Sequence, residues 1–441
     1  MSPKIQPQIL KGMRDFLPAR MILRDYVVSV LKDTFERFGF EPLQTPAIEY
    51  AETLEGKSGE EADRLMYKFE DRGGRRVGLR YELTVSLARV VAQYPDIPKP
   101  FKRYQIAPVW RAERPQKGRY REFYQCDVDT VGTRSMLADA EFVSVVADAL
   151  GKLGFDNYRV KINNRKLLRA IALYVGVPPA EAGGIYRAID KLDKIGVEGV
   201  EAELAAEGLD SETIGRLLSL LESGKGGPEL LESLRRRLAH LPDGAEGLHE
   251  LEKLLEYVRD AGVPQERYLL DLTMVRGLDY YTGPIFEAVV EQPRIGSLAG
   301  GGRYDGLIGL FGPQEVPATG ISFGLERIID VMEEMNMAPA WLNRTITHVL
   351  VTVFSEDLVG ESLRLGGDLR AQGLNTEVYL GVERLGSQLR YASRKGIPYI
   401  VVVGPDELQA GKVVLRNMIT EEQRTVPRGE LAMVLHSEFP Q

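Results

Sequence analysis

Apolar positions along the chain alternate between two periods. Leu23, Val27, Val30, Leu31 and Phe35 return every three or four residues, which predicts an amphipathic helix over 19–38 with Gly39 as its stop. Residues 40–46 are strand-like, and Pro42 and Pro46 put them at an edge or bulge. A second helix is expected over 83–94, ended by Pro95. Between 102 and 132 the period falls to two. Cys126, Val128 and Thr130 share one face there, and Gln125, Asp127 and Asp129 share the other. The segment reads as two strands joined by a loop holding Pro115 and Gly118.

Helical spacing returns over 139–154. After the strand Tyr158-Arg-Val-Lys-Ile it dominates 164–265, with loop breaks expected at 178–179, 224–228 and 242–247. Strands resume at Tyr268 and continue through the glycine-rich 296–312 stretch to a helix starting near Gly324. Beyond Thr345, segments 349–354, 377–380 and 399–403 read as strands. Helices ending near Gly373 and Lys395 alternate with them, and Ser355 is the expected N-cap of the first. That alternation predicts a small α/β unit with largely parallel pairing. The chain is therefore read as α/β overall: an α+β domain from 1–163 and 266–335, a helical insertion over 164–265, and an α/β unit over 345–441.

Composition narrows the class. A chain of 441 residues carries a prior of about three domains. With 44% hydrophobic and 27% charged residues, whole-chain disorder and a coiled-coil rod are excluded. No stretch reaches the ~18 apolar residues of a membrane span, and the N-terminus lacks a signal-peptide core. One cysteine, Cys126, excludes an internal disulfide and fits a reducing cytoplasm. Four scattered histidines offer no metal-ligand spacing, so no metal ligand is identified. The net charge of −8 argues against a general nucleic-acid coat protein. Two zones run the other way: five basic against two acidic residues over 111–122, and eight against five over 364–416. They fit either chance fluctuation or a polyanion held at two places.

Four segments could carry chemistry. The face of Gln125, Asp127 and Asp129 fits a solvated sheet surface or a ligand floor, beside a loop with Arg111, Arg114, Lys117, Arg119 and Arg121. Arginine suits phosphate because its planar fork donates two charge-assisted bonds. Arg276-Gly-Leu-Asp-Tyr280-Tyr281-Thr-Gly283 is a polar turn with a tyrosine pair. Ala299-Gly-Gly-Gly-Arg-Tyr304-Asp-Gly is dense enough in glycine for backbone to approach a ligand. In Gly320-Ile-Ser-Phe-Gly-Leu-Glu-Arg327 an arginine sits in the first turn of a helix. Gly56-Lys57-Ser58 is not a phosphate loop, because Ala51 stands where the first glycine belongs.

In this order the motifs resemble those of the class II aminoacyl-tRNA synthetases and, within them, the histidyl-tRNA synthetase family. Residues 38–46 resemble motif 1, 110–125 motif 2 and 320–327 motif 3, while RGLDYYTG and AGGGRYDGL resemble the two histidine-specific motifs. The resemblance spans nearly the whole chain. It implies a catalytic domain of class II type, with an antiparallel sheet, over 1–163 and 266–335, and an anticodon-binding domain over 345–441. It implies a homodimer formed through motif 1, with ATP, histidine and tRNA(His) as partners and Mg²⁺ on the nucleotide. By position, Arg111 would hold the α-phosphate, Glu113 the adenine amino group and Arg327 the γ-phosphate. Arg276 would act on the α-phosphate during the attack. Glu82 and Thr84 would bind the amino group of histidine with Gln125 beside them, and Asp129 and Tyr281 would take the imidazole. Tyr280 and Tyr304 would complete the pocket, and Arg114 and Gln116 would meet the tRNA acceptor end. A neutral imidazole has one N–H donor and one nitrogen acceptor, so a carboxylate and a phenol together read both.

Two spellings depart from many bacterial members: Asp129 replaces glutamate, and Tyr81-Glu-Leu-Thr84 replaces Pro-Glu-Gly-Thr. The rival reading is a regulatory subunit of ATP phosphoribosyltransferase, which shares the catalytic fold. Such paralogues lack the C-terminal domain and parts of the motifs, whereas Arg111, Arg276, Arg327 and residues 345–441 are all here.

Overall fold

The computed structural model describes residues 5–55, 65–115, 118–179, 181–221, 224–275, 280–293, 295–312, 315–342 and 344–439. The chain forms two compact units, Met1–Arg14 with Val27–Met337 and Asp15–Tyr26 with Ala338–Gln441. Gly56-Lys57-Ser58 lies outside the described residues, while Ala51 opens the short helix Ala51–Glu55.

In chain order the strands of the larger unit are β1 (Glu41–Pro42), β2 (Ile48–Tyr50), β3 (Lys68–Glu70), β4 (Arg76–Leu79), β5 (Phe101–Trp110), β6 (Glu122–Val131), β7 (Tyr158–Asn164), β8 (Lys225–Gly226), β9 (Tyr268–Asp271), β10 (Pro284–Val290), β11 (Ser297–Arg303) and β12 (Ala318–Gly324). Nine of them make one sheet in the order β1-β5-β6-β12-β11-β10-β7-β9-β8, and β2-β4-β3 make a small second sheet. Among the described residues only β1 with β5 and β7 with β9 pair in parallel in this sheet, so it is antiparallel through its centre. Pro42 sits on the edge strand, where the ladder does not need its missing N–H.

The helical pattern over 19–38 is realised as Pro18–Arg37, with Val27, Leu31 and Phe35 fully buried. The helix Met136–Lys152 starts where the Ser135 hydroxyl accepts from the Leu137 N–H, and it buries Phe142, Val143, Val146 and Leu150. Between β7 and β9 the chain is mostly helical as expected, with two corrections: the expected break at 224–228 holds the short strand β8, which pairs with β9, and the break expected at 242–247 is absent. No loop interrupts 242–247, because Pro242 takes a first-turn position of a helix running Pro242–Asp260. Its glycines serve close packing instead of a turn. A Cβ at Gly244 would lie 2.1 Å from the Leu238 carbonyl oxygen, and one at Gly247 would lie 3.0 Å from the Leu167 amide.

The smaller unit holds a five-stranded sheet of β13 (Val349–Val351), β14 (Thr376–Val378), β15 (Tyr399–Val402), β16 (Lys412–Asn417) and β17 (Gln423–Pro427), ordered β14-β13-β15-β16-β17. Pairing is parallel from β14 to β15 and antiparallel from β15 to β17, so it is mixed where largely parallel pairing was expected. Val349, Val351, Leu365, Leu369, Val401, Val413 and Leu435 form its core. Ser355 precedes a short 3₁₀ turn, Glu356–Leu358, and makes no side-chain cap bond. The helix Val359–Ala371 follows.

Candidate active site

A cavity in the larger unit has a volume of about 850 Å³, within the usual range for a ligand pocket. Its floor comes from period-two strands. In β6 the side chains of Gln125, Asp127 and Asp129 share one face and all line the cavity. In register with them on β12 are Gly324, Ser322 and Gly320. The face is not solvated: Asp127 and Asp129 are each only 3% exposed.

A buried polar lock surrounds Asp129. Arg103 stands directly opposite on β5 and is fully buried, with its Nη2 2.7 Å from the Asp129 carboxylate. The Tyr304 hydroxyl donates to the other carboxylate oxygen. Burial and the Asp129 charge push the Tyr304 phenol well above its ordinary value, so it stays a donor. Tyr304 stacks into a tyrosine group, with Tyr280 and Tyr281 ring centroids 4.1 Å apart and Tyr280 6.4 Å from Tyr304. Gly320 makes room for this lock, because a Cβ there would lie 2.0 Å from Asp129 Oδ1.

The glycines of AGGGRYDG serve a related purpose. A Cβ on Gly301 would lie 2.0 Å from the Gly320 carbonyl oxygen, so the two strands pack here only without side chains. Arg303 of the same motif is buried. It bonds the Thr133 and Ser135 carbonyls, Asp305 and the fully buried Asp139. Arg303 therefore holds the core together, while its neighbour Tyr304 reaches the pocket.

The opposite wall is set by the segment before the helix Thr84–Gln93. Buried Arg80 anchors it by donating to the Thr45 carbonyl at 2.7 Å and the Pro108 carbonyl at 3.0 Å. The Glu82 carboxylate accepts from the Thr84 and Val85 amides at 3.2 and 2.5 Å, so it caps this helix. Arg111 is fixed from the same segment, its Nε donating to the Tyr81 carbonyl at 3.0 Å and its guanidinium lying 5.0 Å from the Phe123 ring centre. Glu113 stands 3.9 Å from Arg111 and 3.8 Å from Arg119. At the far end Arg327 donates to the Ser297 carbonyl at 3.0 Å, and buried Glu326 accepts from the Tyr124 amide.

Glu82, Thr84, Arg111, Glu113, Gln125, Asp129, Tyr280, Tyr281, Tyr304 and Arg327 therefore meet around one cavity. Arg114 is an exposed side chain of the basic loop. Arg276 and Gln116 lie outside the described residues. Sequence reasoning missed Arg103, Ser322 and the depth of Asp127. The signal for Arg103 was present: the hairpin register that pairs Phe101 with Val131 puts Arg103 opposite Asp129. Burial, chiefly, raises the Asp127 carboxyl to about 7, with Asp129 and Glu82 adding to the rise while Arg103 and Ser322 oppose it.

A family model described as histidyl-tRNA synthetase matches residues 12–328, and one described as an anticodon binding domain matches residues 348–438. The chain is 46% identical to the histidine–tRNA ligase of Aeropyrum pernix, covering 99% of both sequences. Among solved structures it resembles histidyl-tRNA synthetase from Nostoc sp. PCC 7120, with a TM-score of 0.89 and 30% identity over 99% of this chain and 100% of that one. An ATP phosphoribosyltransferase regulatory subunit/histidyl-tRNA synthetase from Bacillus halodurans shares the fold at 24% identity, with a TM-score of 0.72 over 88% of this chain and 97% of that one.

Proposed function

The chain belongs to the histidyl-tRNA synthetase family, and from that premise we propose that its cavity joins histidine to ATP and then delivers histidine to the 3′ end of tRNA(His). The products of the first step are histidyl-adenylate and pyrophosphate. The observation that carries this reading is the meeting of the Asp129 lock with Arg111, Glu113 and Arg327 around one cavity. The regulatory paralogue is the weaker reading, since its supporting likeness is one of fold alone.

Asp129 accepts the imidazole N–H and Tyr281 meets the other ring nitrogen, with Tyr280 and Tyr304 packing the ring. Glu82 and Thr84 bind the amino group of histidine, with Gln125 beside them. Arg111 takes the α-phosphate through its Nη pair, its Nε being held by the Tyr81 carbonyl. Glu113 takes the adenine amino group and Arg327 the γ-phosphate. Arg276 is assigned to the α-phosphate on the resemblance alone. Attack at phosphorus is in line, so these side chains position two anionic reactants and neutralise charge. Among the described residues no three acidic or histidine side chains gather as a metal cage. That suits Mg²⁺, which is held mostly by nucleotide phosphates and water and needs only one or two carboxylates. Glu287 and Glu326 on the cavity wall are the residues that would supply them. The ion would offset phosphate charge.

ATP–pyrophosphate exchange with each of the twenty amino acids separately tests the reading. Exchange with histidine alone is expected; exchange with another amino acid, or with none, overturns it.

The domain roles follow the same lines: 1–163 and 266–335 catalyse, 345–441 holds the anticodon stem, and the 164–265 helices and the Arg114 and Gln116 loop meet the acceptor end. Arg384, at the N-cap, and Arg390, within the helix Leu385–Lys395, are exposed. Replacing both by glutamate is expected to raise the KM for tRNA and to lower its salt slope by about one for each phosphate no longer held. Histidine-dependent exchange should be unchanged. Undiminished charging by the double variant would remove this surface from the reading.

A homodimer through the motif 1 helix and strand, residues 19–46, is proposed; the small sheet that follows them leaves Ile48, Tyr50 and Phe69 half-exposed. Sedimentation at low micromolar concentration is expected to give twice the chain mass, and a stable, active monomer would refute it. Among the described residues no helix is long and apolar enough to cross a membrane. The cytoplasm is the proposed location.

A further inference from the structure

Strand β9 pairs with β7 as far as Leu270 and Ile162, and after Asp271 the chain leaves the sheet. It runs on to Val275, which lines the cavity, and Arg276 follows in sequence. Backbone that leaves a ladder inside a core must find other partners. Here side chains supply them. The fully buried Asn163 of β7 donates through Nδ2 to the Leu272 carbonyl at 3.3 Å and the Met274 carbonyl at 3.0 Å, while its Oδ1 accepts from the Asn164 N–H at 2.8 Å. Asp271, buried with Lys161 at 2.9 Å, accepts from the Thr273 N–H at 3.0 Å and from the Thr273 hydroxyl. The Leu272 N–H donates to the Gly224 carbonyl at 2.8 Å. Residues 272–274 are thus clamped one group after another.

The base of the clamp is anchored too. Asn164 caps the helix Arg165–Tyr174 by accepting from the Lys166 N–H at 2.8 Å, and it donates to Glu250 at 2.7 Å. The tyrosine end of the motif is held separately, by the Arg165 N–H on the Gly283 carbonyl at 2.9 Å and the Thr282 N–H on the Arg303 carbonyl at 2.8 Å.

We propose that Asn163 is a positioning residue for the activation step: it fixes the 272–275 segment and so the point of the chain from which Arg276 acts on the α-phosphate. The proposal rests on the histidine-activation reading and on the role given there to Arg276. Asn163 does not line the cavity, so its effect passes through the backbone it holds. Asparagine suits the task because one planar group offers two donor hydrogens and an acceptor. Aspartate has the same shape and no donor for two carbonyls.

The test is rapid quench at saturating histidine and ATP on the full-length protein, Asn163→Ala, Arg276→Ala and the double variant. Asn163→Ala is expected to slow adenylate formation by about ten- to a hundredfold, the cost of a displacement on the order of 1 Å. Histidine affinity, read by calorimetry, should stay within about twofold, because the tyrosine end keeps its own bonds. In the Arg276→Ala background the same substitution should change the rate by less than about twofold, since the group it acts through is gone. A full effect in that background, or an equal loss of histidine affinity, overturns the proposal. If the parent shows no histidine-dependent exchange, the functional reading falls instead, so the two failures are distinguishable.

A general loss of packing is separable as well. Asn163→Ala leaves two buried carbonyls unpaired and should melt lower than the parent. Leu254→Ala, on the helix Pro242–Asp260 and fully buried away from the cavity wall, should also melt lower while adenylation stays within about twofold. Equal slowing by both variants overturns the proposal. If Asn163→Ala does not fold, Thr273→Val carries the test. It keeps the side-chain size and removes the hydroxyl bond to Asp271. Its adenylation should be about three- to tenfold slower, and an unchanged rate overturns the proposal.

Discussion

Arg111→Ala is expected to slow single-turnover adenylate formation by about 10²–10³, the usual loss when one preorganised electrostatic partner is removed. The guanidinium is already in place before any ligand arrives. Its Nε is held by the Tyr81 carbonyl at 3.0 Å, and it lies over Phe123. Such a fixed cation needs little reorganisation when charge shifts on the α-phosphate, so it favours the transition state over the ground state. Histidine affinity should hardly change, because Asp129 and its partners lie on a different wall. Arg111→Lys should recover only part of the rate, since an ammonium cannot keep the carbonyl and offer a fork at once. Rapid quench at saturating histidine and ATP reads the effect directly. An alanine variant within a few-fold of the parent would show that Arg111 is a wall residue only.

The second large effect is on stability. Arg303→Met should cost about 3–5 kcal/mol at pH 8, because it leaves Asp139 buried without its cation. Even with Arg303 beside it, burial raises the Asp139 carboxyl to about 6, with the guanidinium opposing that rise. The sign of the pH dependence follows. The folded state binds this proton more tightly than the unfolded chain, whose ordinary value is 3.8. Stability therefore falls as pH rises through that interval and is regained on acidification. Losing Arg303 widens the interval upward, so the deficit of the variant should shrink between pH 8 and pH 5. Adding Asp139→Asn should recover part of it at pH 8. The remainder belongs to the Thr133 and Ser135 carbonyls and to Asp305, which also lose their donor. Denaturant midpoints at the two pH values check this, and a loss under about 1 kcal/mol would place the pair among weak ion pairs.

These two arginines mark what a one-dimensional pattern can and cannot say. Both stand in basic or glycine-rich motifs, and charge alone suits either for phosphate. Arg111 lines the cavity and Arg303 is sealed in the core. The difference is set by which strand lies opposite, a tertiary fact. Period-two alternation did identify β5 and β6, and with them the shared face of Gln125, Asp127 and Asp129. It could not tell a solvated face from a roofed one, because polar residues alternate equally well in both. Proline and glycine misled at 242–247, where Pro242 opens a helix and Gly244 and Gly247 let it pack closely on Leu238 and Leu167. In the smaller unit, strand and helix alternation carried the parallel half of the sheet, while the β16–β17 hairpin closed it with the opposite sense.

On the proposed histidine reading of the cavity, the Arg103–Asp129 pair also constrains how this pocket could acquire a new amino-acid preference. A substitution at 129 that suited a different side chain would strand a fully buried guanidinium, and a substitution at 103 would strand the carboxylate. Either intermediate forfeits about 3–5 kcal/mol, against a total stability of roughly 5–15 kcal/mol for a typical protein. Single-step mutational paths away from the present specificity therefore run through poorly folded chains. Libraries aimed at retargeting the site should vary positions 103 and 129 together, with Tyr304 as the third coordinate, since its hydroxyl is spent on the same carboxylate.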